Sequence, residues 1–158
     1  MHPLHLGRWH IVLIGIAAVL LAGIGGYAIA GGFTSESSPG QEVADAVVNA
    51  YSTGDAATIA ATYDPAVKVV LIYDKAEHVV ARSAKELTGV IKDSIAFGAT
   101  LKQIGPVATY RAKDGDLYVA ATSELTSPSH PDGIPIVGFY RVHNGKVIRQ
   151  VGLDAEHY

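Results

Sequence analysis

The chain has 158 residues, enough for one domain and an appendage, with 12 Lys and Arg against 15 Asp and Glu and no cysteine. The acidic balance argues against a nucleic-acid partner, which calls for a basic face. The missing thiols exclude disulfides, thiolate metal sites, a cysteine nucleophile and a lipid anchor on cysteine.

Residues 1–10 carry Arg8 and His2, His5 and His10; the next 22, "IVLIGIAAVLLAGIGGYAIAGG" (11–32), carry no charge. As a helix that run is about 33 Å long, sufficient to cross a bilayer core. No basic residue follows until Lys68, so the positive-inside rule puts residues 1–10 in the cytoplasm and everything after Gly32 outside. Two readings of the run stand: a retained single-pass anchor, and a signal peptide cleaved after the small-x-small triplet 28–30, near Ala30, which would secrete the domain. Residues 33–40, "FTSESSPG", read as a flexible linker, and residues 41–158 as the folded domain. Arg8 is the one basic residue among the first 32, so beyond them 11 Lys and Arg meet all 15 Asp and Glu, a net charge of −4. The Ala, Gly and Val content fits a high-GC bacterium.

Ser38 can cap a helix, with Pro39 in its first turn and Gln41 closing a capping box. Val43, Val47, Ala50 and Tyr51, with Ala46, then form one apolar stripe. Gly54 ends that helix, and Asp55 caps a second on which Ile59 and Tyr63 stack one turn apart. Asp64-Pro65 stops it. "VKVVLIYD" (67–74) reads as a buried strand, and Ser83 with Glu86 opens a third helix with Leu87, Val90, Ile91 and Ile95 inward. From residue 99 the pattern becomes about four antiparallel strands, with hairpin turns at Asp114-Gly115 and Asn144-Gly145 and a longer Pro-rich loop over 127–135. Three helices on one face of an antiparallel sheet is an α+β fold.

The order of "STGDAATIAATYDPAVKVV" early and "HNGKVIRQVGLD" late resembles the nuclear transport factor 2-like superfamily, in particular its SnoaL-like branch. The resemblance covers residues 41–158. It implies a cone-shaped curved sheet closed by three helices around an apolar pocket. The fold hosts isomerases, cyclases, hydrolases and proteins without known chemistry, so it does not give function. At the positions that carry a tyrosine, a base and an acid in ketosteroid isomerases, the resemblance puts Val47, Leu71 and Gly138. None can move a proton, which disfavours isomerase chemistry.

Strand alternation groups Ile148, Gln150, Gly152 and Asp154 on one face of the last strand, and the resemblance turns that face toward the pocket. Asp154 then reads as a mouth carboxylate, the weak catalytic candidate, or as a solvated strand end. Tyr51, Tyr63, Tyr73 and Tyr140 read as wall residues suited to a flat apolar ligand, or as core aromatics. The expected pocket set is thus Val47, Tyr51, Tyr63, Leu71, Tyr73, Gly138, Tyr140, Gln150 and Asp154. His130 with Asp132, and Asp154 with His157, lack a third ligand at diagnostic spacing, so no metal and no cofactor is expected. The favoured reading is a membrane-anchored, non-catalytic domain outside the cytoplasm. It binds a small apolar ligand or a partner protein of a membrane complex. The alternatives are a SnoaL-like cyclase or hydrolase using a pocket carboxylate, and a homodimer paired through the outer sheet face.

Overall fold

The computed structural model describes residues 38–154. The 11–32 run, residues 1–10 before it, most of the linker and His157 lie outside those residues, and with them the expected anchor and the Asp154–His157 pair. Among the described residues no helix is long and apolar enough to cross a membrane.

Helix α1 spans Pro39–Thr53, α2 Ala56–Thr62 and α3 Ala84–Ala96; the strands are β1 Tyr63–Tyr73, β2 Ala76–Ala81, β3 Thr100–Arg111, β4 Leu117–Ser127, β5 His130–His143 and β6 Lys146–Asp154. The helix starts follow local chemistry. Ser38 Oγ accepts from Gln41 N–H, Asp55 from Thr58 N–H, and Ser83 Oγ from Glu86 N–H. Gln41 does not close the expected box. Its amide donates instead to Asp45 Oδ1 (2.8 Å) and Gln103 Oε1 (2.9 Å), which ties α1 to β3. Gly54 ends α1 at φ +60°, the left-handed conformation that glycine adopts without cost. Near the other end of α1, Gly40 lies so close to β3 that a Cβ would overlap the Thr109 methyl.

The sheet runs β2-β1-β6-β5-β4-β3. It is mixed, not antiparallel as expected, because β1 and β6 pair in parallel, Val69 opposite Gln150 and Leu71 opposite Gly152. Those strands come from opposite ends of the domain, so no hairpin constrains their direction. Strand β2 is an addition to the sequence reading. It returns on β1 through Asp74 and Lys75, both in the left-handed region without glycine. Strand β1 starts four residues before the expected Val67: Tyr63 N–H still closes α2 on Ile59, while Tyr63 already pairs with Val147 of β6. The expected 127–135 loop is a tight turn at Pro128-Ser129, with Ser127 opposite His130 and the surplus residues absorbed as an irregularity of β5.

All three helices pack on one face of this sheet, α1 against β3 and β4, α3 against β1 and β2. Ile59, Tyr63, Val67, Leu87 and Ile91 are fully buried between the layers, with Val47 and Val119 at 1 % exposure. The most buried positions of α1 are Ala44, Val47 and Ala50, so its stripe is rotated slightly from the one centred on Val43 and Tyr51.

Candidate functional site

The inner face of the sheet is built in rows. Across one row stand Val119, Tyr140, Gln150 and Val69, which are large. The next reads Ala121, Gly138, Gly152 and Leu71, with almost nothing on its three central strands; beyond it come Ser123, Ile136 and Asp154. A sheet row of Ala-Gly-Gly leaves space under the helices; the Tyr140 hydroxyl takes the part over Gly138, and a hollow remains. It measures ≈ 210 Å³ and is bordered on the helix side by Tyr51 of α1 and by Val90, Ser94 and Ile95 of α3.

The deep end is wired by hydrogen bonds. Tyr63 Oη donates to Gln150 Oε1 at 2.7 Å, and Gln150 Nε2 donates to Tyr51 Oη at 3.2 Å. Burial pushes the Tyr51 hydroxyl up to about 12, and lifts Tyr63 and Tyr140 above the ordinary tyrosine range as well. All three stay neutral wherever the protein would work. Apart from tyrosine, no described residue bordering the cavity is ionisable. Among the described residues the wall is apolar with neutral polar groups, a surface that can bind and orient a ligand.

Of the expected pocket residues, Tyr51, Leu71, Gly138, Tyr140 and Gln150 border this cavity. Val47 is core beneath α1, and Tyr63 lies behind the wall, joined to it through Gln150. Tyr73 is a correction. It is 42 % exposed and stacks on His78 with ring centroids 3.9 Å apart, because β1 runs past the hollow to its hairpin. Asp154 is partly buried opposite Ile136 and is not among the bordering residues. The grouping on β6 also changes. Between Arg141–Arg149 and Val142–Val147 the register slips, Ile148 becomes the extra residue, and Val147 joins the core with Gln150. Ser123, which borders the cavity at 5 % exposure, was missed, although it continues the alternation Val119-Ala121-Ser123 on β4.

Two other features stand apart. A larger hollow of ≈ 750 Å³ lies between α1, α2 and the turns at Gly115 and Asn144-Gly145. Its rim includes exposed Pro39, Glu42, Asn49 and Arg111, so it is a surface groove, not an enclosed site. Near those turns Asp116, 2 % exposed, accepts from Arg141 Nε and pairs with His143 Nδ1, both at 2.6 Å. The His143 and Arg141 bonds hold its carboxyl below the usual range. Arg141 and His143 alternate with Tyr140 and Val142, so this cluster belongs to the outer face. His130 and Asp132 sit at the start of β5, and no group of three potential metal ligands occurs among the described residues.

No family model matches the chain, and no curated protein matches it. Solved structures do match its fold. A domain of unknown function with a cystatin-like fold from Nostoc punctiforme superposes with a TM-score of 0.58 at 11% identity, covering 78% of this chain and 79% of that one. A nuclear transport factor 2-like protein of unknown function from Burkholderia pseudomallei gives 0.52 at 13%, covering 73% and 90%. TerC, co-crystallised with polyporic acid, gives 0.52 at 16%, covering 75% and 93%. At such identities the likeness shows the fold alone: three helices on a curved six-stranded mixed sheet, nuclear transport factor 2-like.

Proposed function

We propose that this domain is a non-catalytic binding module for a small apolar ligand, held outside the cytoplasm by the 11–32 segment. The observation that carries the reading is the cavity wall. It is largely apolar, and the polar side chains among its described lining are neutral hydroxyls and one amide. A cyclase or hydrolase would set a carboxylate or imidazole against its substrate, and the described lining residues supply none. TerC adds an example of this fold crystallised with a small organic molecule. For the anchor, the support is the uncharged run after Arg8.

Benzene followed by ligand-observed nuclear magnetic resonance tests the cavity. The full chain binds it, and Gly152→Val does not, because the new side chain enters the hollow between Leu71 and Ile136. Benzene binding that survives Gly152→Val would refute the cavity as the site. Protease added to intact spheroplasts tests the topology: the domain is digested, and full protection would contradict an exported domain.

A second surface supports a homodimer. Among the described residues no helix covers the outer face of the sheet, and there the row Ala108, Ala120, Phe139, Val151, Val70 and Val79 crosses all six strands, with Ala120 and Val70 buried between their neighbours. Tyr110 at 58 % and Val79 at 37 % exposure stand at its margins. An apolar band of this extent suits a second copy of the chain across a two-fold axis. Sedimentation equilibrium should give a dimer that Val151→Glu returns to monomer; a monomeric wild type would refute it.

A further inference from the structure

The outer face of the sheet carries a charged cluster in which the cavity has no part. Asp116 closes the turn between β3 and β4, where its N–H donates to Asp114 Oδ1 at 3.1 Å and its carbonyl accepts from Ala112 N–H at 2.8 Å. Its carboxylate is 2 % exposed. Side chains of β5 take both oxygens, Arg141 Nε at Oδ2 and His143 Nδ1 at Oδ1, each at 2.6 Å. The carboxylate thereby fixes two side chains that still reach solvent, Arg141 at 36 % and His143 at 54 % exposure.

That arrangement leaves donors pointing outward. A guanidinium has five N–H groups, and Asp116 takes only the one on Nε. Those on Nη1 and Nη2 have no hydrogen-bond partner among the described residues. With Nδ1–H given to Asp116, Nε2 of His143 is turned away from the carboxylate, and it donates when the ring is protonated. Arg141 also lies over the Tyr118 ring, 5.9 Å from its centroid, and the Tyr118 and Tyr110 centroids are 6.4 Å apart. Tyr110, Tyr118 and Arg141 stand opposite one another on β3, β4 and β5. Tyr110 is 58 % exposed, so it offers a flat surface two strands from the guanidinium.

The same row continues with Arg149 on β6 and Lys68 on β1. With His143 protonated, four cationic side chains meet three carboxylates: Asp116, Asp114, which acts on Arg141 from the turn, and Glu77, paired with Lys68 at 2.9 Å. The row is then weakly positive, on a chain that is acidic beyond residue 32. It lies beside the apolar band of the outer face, not in it.

We propose that Arg141 and His143 bind the phosphate of a soluble phosphate monoester whose attached ring lies toward Tyr118 and Tyr110. A planar carboxylate spends both oxygens on a guanidinium fork, whereas a phosphate keeps a third for the imidazole. Asp116 holds both donors in place before the anion arrives, which lowers the cost of ordering them.

The test titrates the full chain in nonionic detergent at about pH 5.5, below the free-imidazole value of about 6.5, with phosphorus-31 nuclear magnetic resonance as the readout. Inorganic phosphate binds saturably with a Kd of about 1 mM, the weak affinity of a few charge-assisted bonds at an exposed site. Phenyl phosphate binds about three- to tenfold tighter, the gain of one aromatic contact. Tyr110→Ala removes that gain and leaves inorganic phosphate unchanged. Arg141→Gln and His143→Gln each weaken both ligands about fivefold or more. If Arg141→Gln does not fold, the more exposed His143→Gln carries the same test. Glycerol 3-phosphate, a monoester without a ring and the headgroup of phosphatidic acid, stands for a lipid source and binds no tighter than inorganic phosphate. Glycerol 3-phosphate bound as tightly as phenyl phosphate would overturn the ring and favour a lipid headgroup. No saturable binding of phosphate or phenyl phosphate, or binding unchanged in both glutamine variants, would overturn the site and leave Asp116 as a clamp between β4 and β5.

Discussion

Replacing Tyr63 by phenylalanine deletes one oxygen from the centre of the fold and tests the wiring on which the site depends. The ring is fully buried and stays; the bond to Gln150 Oε1 at 2.7 Å goes. Gln150 is itself 8 % exposed, so its amide is left one partner short whichever way it turns. An unsatisfied buried group of this kind costs about 1–3 kcal/mol. Gln150→Leu makes the converse defect, a buried Tyr63 proton without an acceptor, with a cost of the same order. The double variant removes both partners and leaves apolar groups of similar shape, which is far less costly than two separate defects. The expected result is two destabilising single changes and a double change well short of their sum, with a coupling of about 1–2 kcal/mol. Equilibrium urea denaturation with unchanged slopes measures all four corners of the cycle. Costs that add to within about 0.5 kcal/mol, or a Tyr63→Phe cost below that value, would refute the claim that this bond is satisfied and buried.

Gly138→Ala puts a methyl where the Tyr140 hydroxyl lies, so it costs about 1–3 kcal/mol as overpacking does and weakens benzene binding; an unchanged urea midpoint would contradict the packing. The raised values of Tyr51, Tyr63 and Tyr140 predict alkaline sensitivity. Their contribution is complete below the ordinary tyrosine value of about 10 and is lost as pH rises from there, because the unfolded chain ionises first. Urea midpoints taken with tyrosinate absorbance should fall through that window, less steeply in Tyr63→Phe. Asp116 works in the opposite direction: its lowered value contributes stability above the ordinary aspartate range near about 4, lost as pH falls through it. Asp116→Asn should remove that part of the acid sensitivity, and an unaltered acid profile would show that the Arg141 and His143 bonds are not kept in solution.

Much of the architecture is written in short-range chemistry. Ser38, Asp55 and Ser83 start helices because a side-chain oxygen meets an N–H three residues ahead, a geometry that needs no tertiary partner. Asn144-Gly145 turns a hairpin because both residues tolerate positive φ, at 48° and 73°. The helix order, the late strands and a hollow bordered by Tyr51, Leu71, Gly138, Tyr140 and Gln150 therefore follow from the residues and the family resemblance together.

Other features needed the assembled sheet. Asp74-Lys75 lacks the glycine that marks a left-handed turn, so β2 carries no local signal, and the parallel pairing of β1 with β6 joins segments that never meet in sequence. The slip at Ile148 exchanges one face of β6 for the other, which alternation alone cannot foresee. Tyr73 shares the parity of Leu71 yet lies beyond the hollow, since parity gives the face and not the distance along it. The amino-acid sequence by itself determined which groups are present: glycines that leave space and tyrosines with protons to give. Only the tertiary structure decided which way each proton points. Gln150 can donate or accept, and its orientation is set by a fully buried Tyr63 brought beside it from the far end of the domain.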